Sequence, residues 1–152
     1  MGKMPIRWTC ITFEALTNTE LYAILRLRSE VFVVEQNCVF LDMDNKDQFS
    51  LHLCGWDTEN ELAAVVRIIP PGKIYSEMSI GRVVTSAKHR GTGIGRELMK
   101  VGIAKCYELF GQGPIRIGAQ VYLRGFYESL GFVQSGEIYD EDGIDHMEMV
   151  RG

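Results

Sequence analysis

A glycine-rich turn flanked by arginines is the part of the sequence best suited to bind an anion. Residues 90–96 run Arg-Gly-Thr-Gly-Ile-Gly-Arg and lie between a predicted strand and the longest predicted helix. Glycines let backbone amides turn inward without obstruction by Cβ, and a helix N-terminus adds partial positive charge. From residue 82 to residue 100 there are five Lys or Arg side chains and one acid, Glu97. The turn therefore favours a phosphate or diphosphate ligand.

Spacing separates the kinds of phosphate site that such a turn could form. A nucleotide P-loop ends in Gly-Lys-Ser/Thr, whereas Gly95 is followed by Arg96 and Glu97. A dinucleotide fingerprint needs Gly-x-Gly-x-x-Gly, and the three glycines of this turn are spaced one residue too closely. A strand-to-helix turn that binds no ligand stays an alternative at this point.

The same turn resembles a known family signature. Residues 90–95 match the Arg/Gln-x-x-Gly-x-Gly/Ala motif of the GNAT acyltransferase superfamily, and residues 127–132 are similar to its Tyr-x-x-x-Gly-Phe motif. Residues 27–36 and 141–146 resemble the ElaA-like branch. This resemblance covers nearly the whole chain. It implies an acetyl-coenzyme A (acetyl-CoA)-dependent N-acetyltransferase, whose acceptor is a primary amine of a small molecule or a peptide that attacks directly while both substrates are bound.

The resemblance also implies how acetyl-CoA is held. The backbone amides of one stretch are expected to wrap the diphosphate: Arg90, Gly91, Thr92, Gly93, Ile94, Gly95 and Arg96. The strand edge at Val83, Val84 and Thr85 is expected to pair with the pantetheine arm like an added strand. A backbone amide near Val84 would polarise the thioester carbonyl. No metal is implied.

Tyr127 falls on the general-acid tyrosine of the family, which protonates the departing thiolate. A phenol with a pKa of about 10 is protonated at neutral pH and suits this role. Tyr127 also fits an apolar helical stripe with Phe126 and Leu130, so an ordinary core tyrosine is the alternative. An ammonium acceptor must lose a proton before it attacks. Candidates for the base or for acceptor contacts are Glu35, His52 and His146.

Two acidic segments bear on the acceptor. Residues 137–148 hold six acids and no Lys or Arg, and Asp42, Asp44 and Asp47 form a second cluster. Either segment could attract a cationic amine or be a solvated loop.

Two other functions stay open. An acyltransferase that resembles acyl-homoserine-lactone synthases is one, although those chains are longer and lack the signature at residues 90–95. A non-catalytic acyl-CoA sensor is the other, and a Tyr127 buried away from any cleft would favour it.

Hydrophobic periodicity predicts the elements that position these residues. Helices are predicted after a capping box at residues 17–20, at residues 95–110 and around residues 123–130. Strands are predicted at residues 6–13, 51–56, 62–69, 78–85, 115–121, 132–139 and 145–150. We therefore predict an α/β (α+β) fold with a mixed, mostly antiparallel sheet of six to seven strands. The resemblance adds about four flanking helices and splayed central strands.

Length and composition limit the class of protein. A chain of 152 residues, 46% hydrophobic and 24% charged, predicts one domain, residues 1–152, with a substantial core. The sequence shows no apolar run of about 20 residues and no signal-peptide pattern, so we expect a cytoplasmic protein without a membrane partner. The net charge of −4 disfavours a nucleic-acid partner. Whether the chain acts as a monomer or a homodimer stays open.

The glycine-rich turn generates a first prediction. Acetyl-CoA should raise the melting temperature of the protein, because a ligand that binds only the folded state stabilises it. ATP and NAD should not, because the turn lacks the features of their sites. A thermal-shift series with the three ligands measures this, and an equal response to ATP would contradict it.

Overall fold

The computed structural model describes residues 5–152. Within this range the chain forms seven strands and three α-helices. In chain order they are β1 (Arg7–Thr12), α1 (Asn18–Arg28), β2 (Leu51–Trp56), β3 (Leu62–Ile69), β4 (Ser79–Thr85), α2 (Ile94–Phe110), β5 (Ile115–Gln120), α3 (Arg124–Glu128), β6 (Val133–Glu141) and β7 (Ile144–Arg151).

The strands form two antiparallel sheets. One sheet has the order β1-β2-β3-β4 and the other the order β5-β7-β6. The sheets meet where β4 and β5 begin, at a parallel bridge between Met78 and Ile115 and a hydrogen bond from the Arg116 amide to the Met78 carbonyl of 3.0 Å. Beyond this point β4 and β5 separate, as the prediction of splayed central strands requires.

The inner strands of the first sheet, β2 and β3, are buried on both faces because a helix covers each face. Leu27 and Ile24 of α1 share a core cluster with Val65 of β3 and Val84 of β4. On the other face, α2 packs its apolar stripe against the neighbouring positions of the same strands and against the second sheet. Strands covered on both faces are apolar almost throughout, as β3 is from Ala63 onward except for one buried arginine.

The starts of the helices follow local rules of sequence. The Thr17 hydroxyl accepts a hydrogen bond from the Glu20 amide, and the Glu20 carboxylate accepts one from the Thr17 amide, so the predicted capping box is present. At α2 the cap is Gly93, whose φ of 83° lies in the left-handed region that favours glycine. The N-terminus of α2 thereby directly follows the glycine-rich turn.

The predicted number of helices is slightly too high. The segment Ser29–Glu35 continues from α1 as a π-helix and does not form a separate α-helix. Residues 39–46, which follow it, make no backbone–backbone hydrogen bond within the described chain. Side-chain ion pairs hold this stretch instead, and hydrophobic periodicity does not register such contacts.

Gly102 provides a test of packing in α2. A Cβ added there would lie 3.5 Å from Ile80 and 3.8 Å from Leu53 and Val66, which are ordinary van der Waals distances. Gly102→Ala should therefore raise the free energy of unfolding by about 0.5–1 kcal/mol, because alanine favours a helix more than glycine does. Chemical denaturation measures this change.

The contrasting variant is Gly55→Ala in β2. Its Cβ would lie 2.7 Å from the Trp8 ring, so this variant should be less stable than the unaltered protein. A lower stability of Gly102→Ala would show that α2 lies closer to the sheet than the structure indicates.

Candidate active site

A cleft opens between β4 and β5 where the two sheets separate. Its volume is about 430 Å³, within the range of small-molecule sites. Of the residues that sequence suggested for the site, seven line this cleft: Glu35, Val83, Val84, Thr85, Arg90, Tyr127 and His146. They come from the π-helix, from β4, from the start of the glycine-rich turn, from α3 and from β7. The fold therefore brings together residues that lie far apart in the sequence.

An irregularity in β4 shapes one wall of the cleft. Val84 pairs with Val65 and Gly81 with Arg67, so Arg82 and Val83 stand opposite the single residue Val66. Such a bulge bends its strand and redirects the groups around it. Arg82 has a φ of 49°, which is uncommon for a residue with a side chain. Ion pairs of the Arg82 side chain with Asp42 and Asp44 offset the energetic cost of this backbone conformation.

Three arginines and three aspartates form a buried network behind the bulge. Arg82 Nε lies 2.9 Å from Asp42 Oδ1. Arg28, which is 1% exposed, lies 2.8 Å from Asp42 and 2.7 Å from Asp47. The remaining pairs join Arg67 to Asp44 at 2.8 Å and to Asp47 at 3.1 Å, and Arg82 to Asp44 at 3.4 Å. The network fastens the acidic segment, residues 42–47, to α1, β3 and β4.

The arginines of the network keep the aspartates of the acidic segment ionised. Burial opposes ionisation of Asp44, but the hydrogen bonds and charge of Arg67 outweigh it, and the pKa of Asp44 falls to about 2. The pKa of Asp47 is also lowered, since the hydrogen bond and charge of Arg28 outweigh its burial. The segment is thus not a solvated loop, and its carboxylates are paired with arginines instead of being available to bind an amine. Its charges are used to hold the wall of the cleft.

The glycine-rich turn continues from the end of the cleft toward α2. Arg90 lines the cleft, whereas Gly91, Thr92, Gly93, Ile94, Gly95 and Arg96 lie beyond it. The Thr92 hydroxyl donates to the His89 carbonyl at 2.6 Å, and the buried His89 ring lies 3.2 Å from Asp57 Oδ2. Gly91 has a φ of 80°, and a Cβ added there would meet nothing within 4 Å. The start of the turn is therefore anchored, while the space beside Gly91 is open.

Tyr127 lines the cleft although the residue is only 5% exposed. Phe126 and Phe132 hold its ring in edge contacts, with centroids 5.2 and 6.0 Å away. The hydroxyl has no hydrogen-bond partner among residues 5–152. Burial raises the pKa of Tyr127 above its ordinary value. The phenol is therefore both packed and protonated, and its oxygen is available to a ligand.

His146 has a defined orientation at the cleft. Its Nδ1 lies 2.8 Å from the Ile144 carbonyl oxygen. Because a carbonyl only accepts hydrogen bonds, Nδ1 carries a proton. In the neutral ring the lone pair is then on Nε2, which lies 3.4 Å from Glu141 Oε2. Tyr139 stacks on the ring with centroids 5.9 Å apart. This arrangement suits a proton acceptor.

His52 lies outside the cleft. The residue is 1% exposed, and its Nε2 lies 3.0 Å from the carbonyl oxygen of Asp47. Burial lowers the pKa of His52, so the ring is neutral at pH 7. Its ring contacts the Asp47 carbonyl and lies 6.3 Å from the Phe13 ring, and His52 is not among the described residues that line the cleft. His52 has no place in the mechanism proposed below.

Several cleft residues gave no signal in the sequence. The positive φ of Arg82 depends on the pairing between β3 and β4, which a single sequence does not display. Gln36 and Gln120 hydrogen-bond across the cleft at 3.2 Å, although 84 positions separate them. The three aspartates were visible as a cluster, but nothing in the local sequence indicated their arginine partners.

The comparisons with known proteins agree with this geometry. The model of the acetyltransferase (GNAT) domain family matches residues 30–151. The chain belongs to the GNAT acetyltransferase family. It is 39% identical over 148 residues to Protein ElaA of Escherichia coli (strain K12), covering 96% of each chain. This GNAT protein therefore falls in the ElaA-like branch and is an N-acetyltransferase by family.

Two solved structures have the same fold as this chain. An acyl-CoA N-acyltransferase from Pseudomonas aeruginosa superposes with a TM-score of 0.91 at 38% identity, over 97% of this chain and 100% of that one. Spermidine N-acetyltransferase from Vibrio cholerae, solved in complex with CoA and spermine, has a TM-score of 0.67 at 17% identity, over 95% of this chain and 94% of that one. The second likeness shows the fold alone.

The buried network generates a prediction on stability. Arg28→Met should lower the free energy of unfolding by about 3–5 kcal/mol, because it removes one arginine partner from each of two buried carboxylates, Asp42 and Asp47. Arg26→Met, on the same helix, is the matched control. Arg26 pairs with Glu30 at 2.9 Å on the exposed side of α1, and its loss should cost less than about 1 kcal/mol. Denaturant titration measures both variants, and equal effects would contradict the role given to the network.

Proposed function

We propose that this GNAT chain, as a single domain over residues 1–152, transfers the acetyl group of acetyl-CoA to a primary amine of a small molecule or a peptide. The observation that supports this most strongly is the open cleft between β4 and β5, lined on one side by Val83, Val84 and Thr85 and on the other by Tyr127 and His146. Acetyl-CoA supplies an acetyl group already activated as a thioester. The residues of the chain bind it, orient it and move protons.

The residues present fit acetyl-CoA. The open edge of β4 beside the cleft can pair with the amides of a pantetheine arm, and a backbone amide near Val84, two residues after the bulged Arg82, could then polarise a thioester carbonyl. Outside the cleft, the open space at Gly91 and the N-terminus of α2 suit a diphosphate. The arrangement supports an extended ligand with an anionic group at one end and a reactive group inside the cleft.

Tyr127 is proposed as the general acid. Its hydroxyl lines the cleft, has no partner among the described residues and stays protonated because burial raises its pKa. It can therefore give its proton to the departing sulfur as the carbon–sulfur bond breaks. A Tyr127 buried away from any cleft would have favoured the sensor hypothesis, so its position in the cleft supports catalysis.

His146 is proposed as the general base. In the neutral ring, Nε2 can accept the proton that the ammonium acceptor loses before it attacks. Glu141, 3.4 Å from Nε2, then stabilises the positive charge on the imidazole. The distant relative from Vibrio cholerae was solved with spermine, which supports an amine as the acceptor class without identifying it.

The role of Tyr127 can be tested by removing one oxygen. Tyr127→Phe should keep its affinity for acetyl-CoA but lower turnover by about 10²-fold or more, because only the proton donor is lost. The assay follows release of free CoA thiol with a panel of primary amines. Tyr22→Phe is the control, since Tyr22 is 73% exposed on α1 and does not line the cleft. If Tyr127→Phe turns over as fast as the unaltered protein, Tyr127 is a core residue.

A further inference from the structure

An ion pair crosses the mouth of the cleft. Arg90 Nη1 lies 2.5 Å from Glu35 Oε2, and Arg90 Nη2 donates to the carbonyl oxygen of Thr85 at 3.2 Å. All three residues line the cleft. Glu35 ends the π-helix, Thr85 ends β4, and Arg90 begins the glycine-rich turn. One guanidinium thus connects three segments of the site.

The partners of Arg90 occupy positions that the coenzyme needs. In the proposed function, the turn that starts at Arg90 holds the diphosphate and the edge at Thr85 meets the pantetheine arm. A diphosphate carries more negative charge than a carboxylate, and guanidinium groups bind phosphate oxygens in bidentate geometry. Bound coenzyme therefore competes with Glu35 and with the Thr85 carbonyl for the same guanidinium.

The ion pair is weak enough to be exchanged. The side chains of Arg90 and Glu35 are 39% and 47% exposed, and exposed pairs contribute about 0–1 kcal/mol. Breaking it therefore costs little compared with the contacts that a diphosphate gains. Both side chains can rotate apart without disturbing the core.

Release of Arg90 leaves this end of the cleft negatively charged. The other arginine of the cleft, Arg82, is already paired with Asp42 and Asp44. Among the described residues that line the cleft, no other Lys or Arg is present. Glu35 and Asp142 would then face the space without a lysine or arginine side chain to neutralise them, and such a field attracts an ammonium group.

We propose that Glu35 is the acceptor-amine subsite, that Arg90 closes it in the free protein, and that the coenzyme opens it by taking Arg90 for its diphosphate. This inference rests on the proposed function and adds an order of binding to it: coenzyme first, primary ammonium second. The hydrogen bond from Arg90 lowers the pKa of Glu35. The group is therefore an anion before the exchange and stays one at neutral pH afterward.

The exchange predicts opposite effects of one substitution on the two ligands. In Glu35→Gln, Arg90 loses its carboxylate partner, so CoA should bind about two- to fivefold more tightly. The same variant should bind an ammonium probe more weakly, by about tenfold, because the charged acceptor atom is gone. A purely structural role for Glu35 would not strengthen CoA binding.

The experiment uses calorimetric titration of CoA and then of n-butylammonium into the CoA complex. In the unaltered protein, n-butylammonium should bind only after CoA is present. Glu30→Gln is the matched control, because Glu30 is a carboxylate of the same π-helix that pairs with Arg26 outside the cleft. Both affinities of this control should equal those of the unaltered protein.

The outcomes separate the inference from the function on which it rests. Failure of all three proteins to bind CoA would overturn the proposed function. Binding of CoA with equal affinity to Glu35→Gln and to the unaltered protein would overturn the exchange alone. Two results would overturn the subsite at Glu35. One is that n-butylammonium binds equally well with and without CoA. The other is that it does not bind to the CoA complex.

Discussion

Among residues 5–152, β4 pairs with another strand along one edge, and the rest of the site depends on the other edge being open. β3 pairs with β4 on one side, while β5 meets it just at Met78 and Ile115 before the strands separate. Backbone amides and carbonyls removed from water need partners. An extended ligand arm with its own amides can supply them in the way an added strand does. The separation of two strands is therefore the structural basis for binding.

The charged network keeps this edge in its bent conformation. Arg82 has a backbone geometry that few residues with side chains adopt, and its pairs with Asp42 and Asp44 hold it there. Those aspartates lie on a stretch with no backbone–backbone hydrogen bonds of its own in residues 39–46. Arg28 on α1 and Arg67 on β3 do not line the cleft. They nevertheless influence its wall, because they bind the aspartates that hold Arg82.

Local patterns in the sequence predicted most of the fold. The capping box at Thr17, the stripe of α2 and the glycine turn depend on neighbours within a few positions, and each was visible. The motif at residues 90–95 and the tyrosine at position 127 also led to the family. β2 and β3 have the predicted boundaries, and the boundaries of the other strands differ from the predictions by one or two residues. Hydrogen bonding, which hydrophobic periodicity does not register, determines where those strands end.

The features of the structure that the sequence did not predict depend on contacts between residues far apart in the chain. The sequence left the acidic segment open to two interpretations, an attraction for an amine or a solvated loop, because its arginine partners are 14 to 40 positions away. His52 has the chemistry of a base, yet it is buried on β2, and none of the described residues that line the cleft belongs to that strand. Likewise, the pairing of Glu35 with Arg90 spans 55 positions. Such contacts cannot be inferred from neighbouring residues in the sequence and require the three-dimensional structure.

Amide hydrogen exchange in the presence of acetyl-CoA tests the central claim most directly. If the open edge of β4 and the glycine-rich turn bind the coenzyme, exchange should slow at residues 83–85 and 90–96, while the solvent-facing strand β6 exchanges as before. Protection confined to other regions, or unchanged exchange at residues 83–85 in the saturated complex, would contradict it.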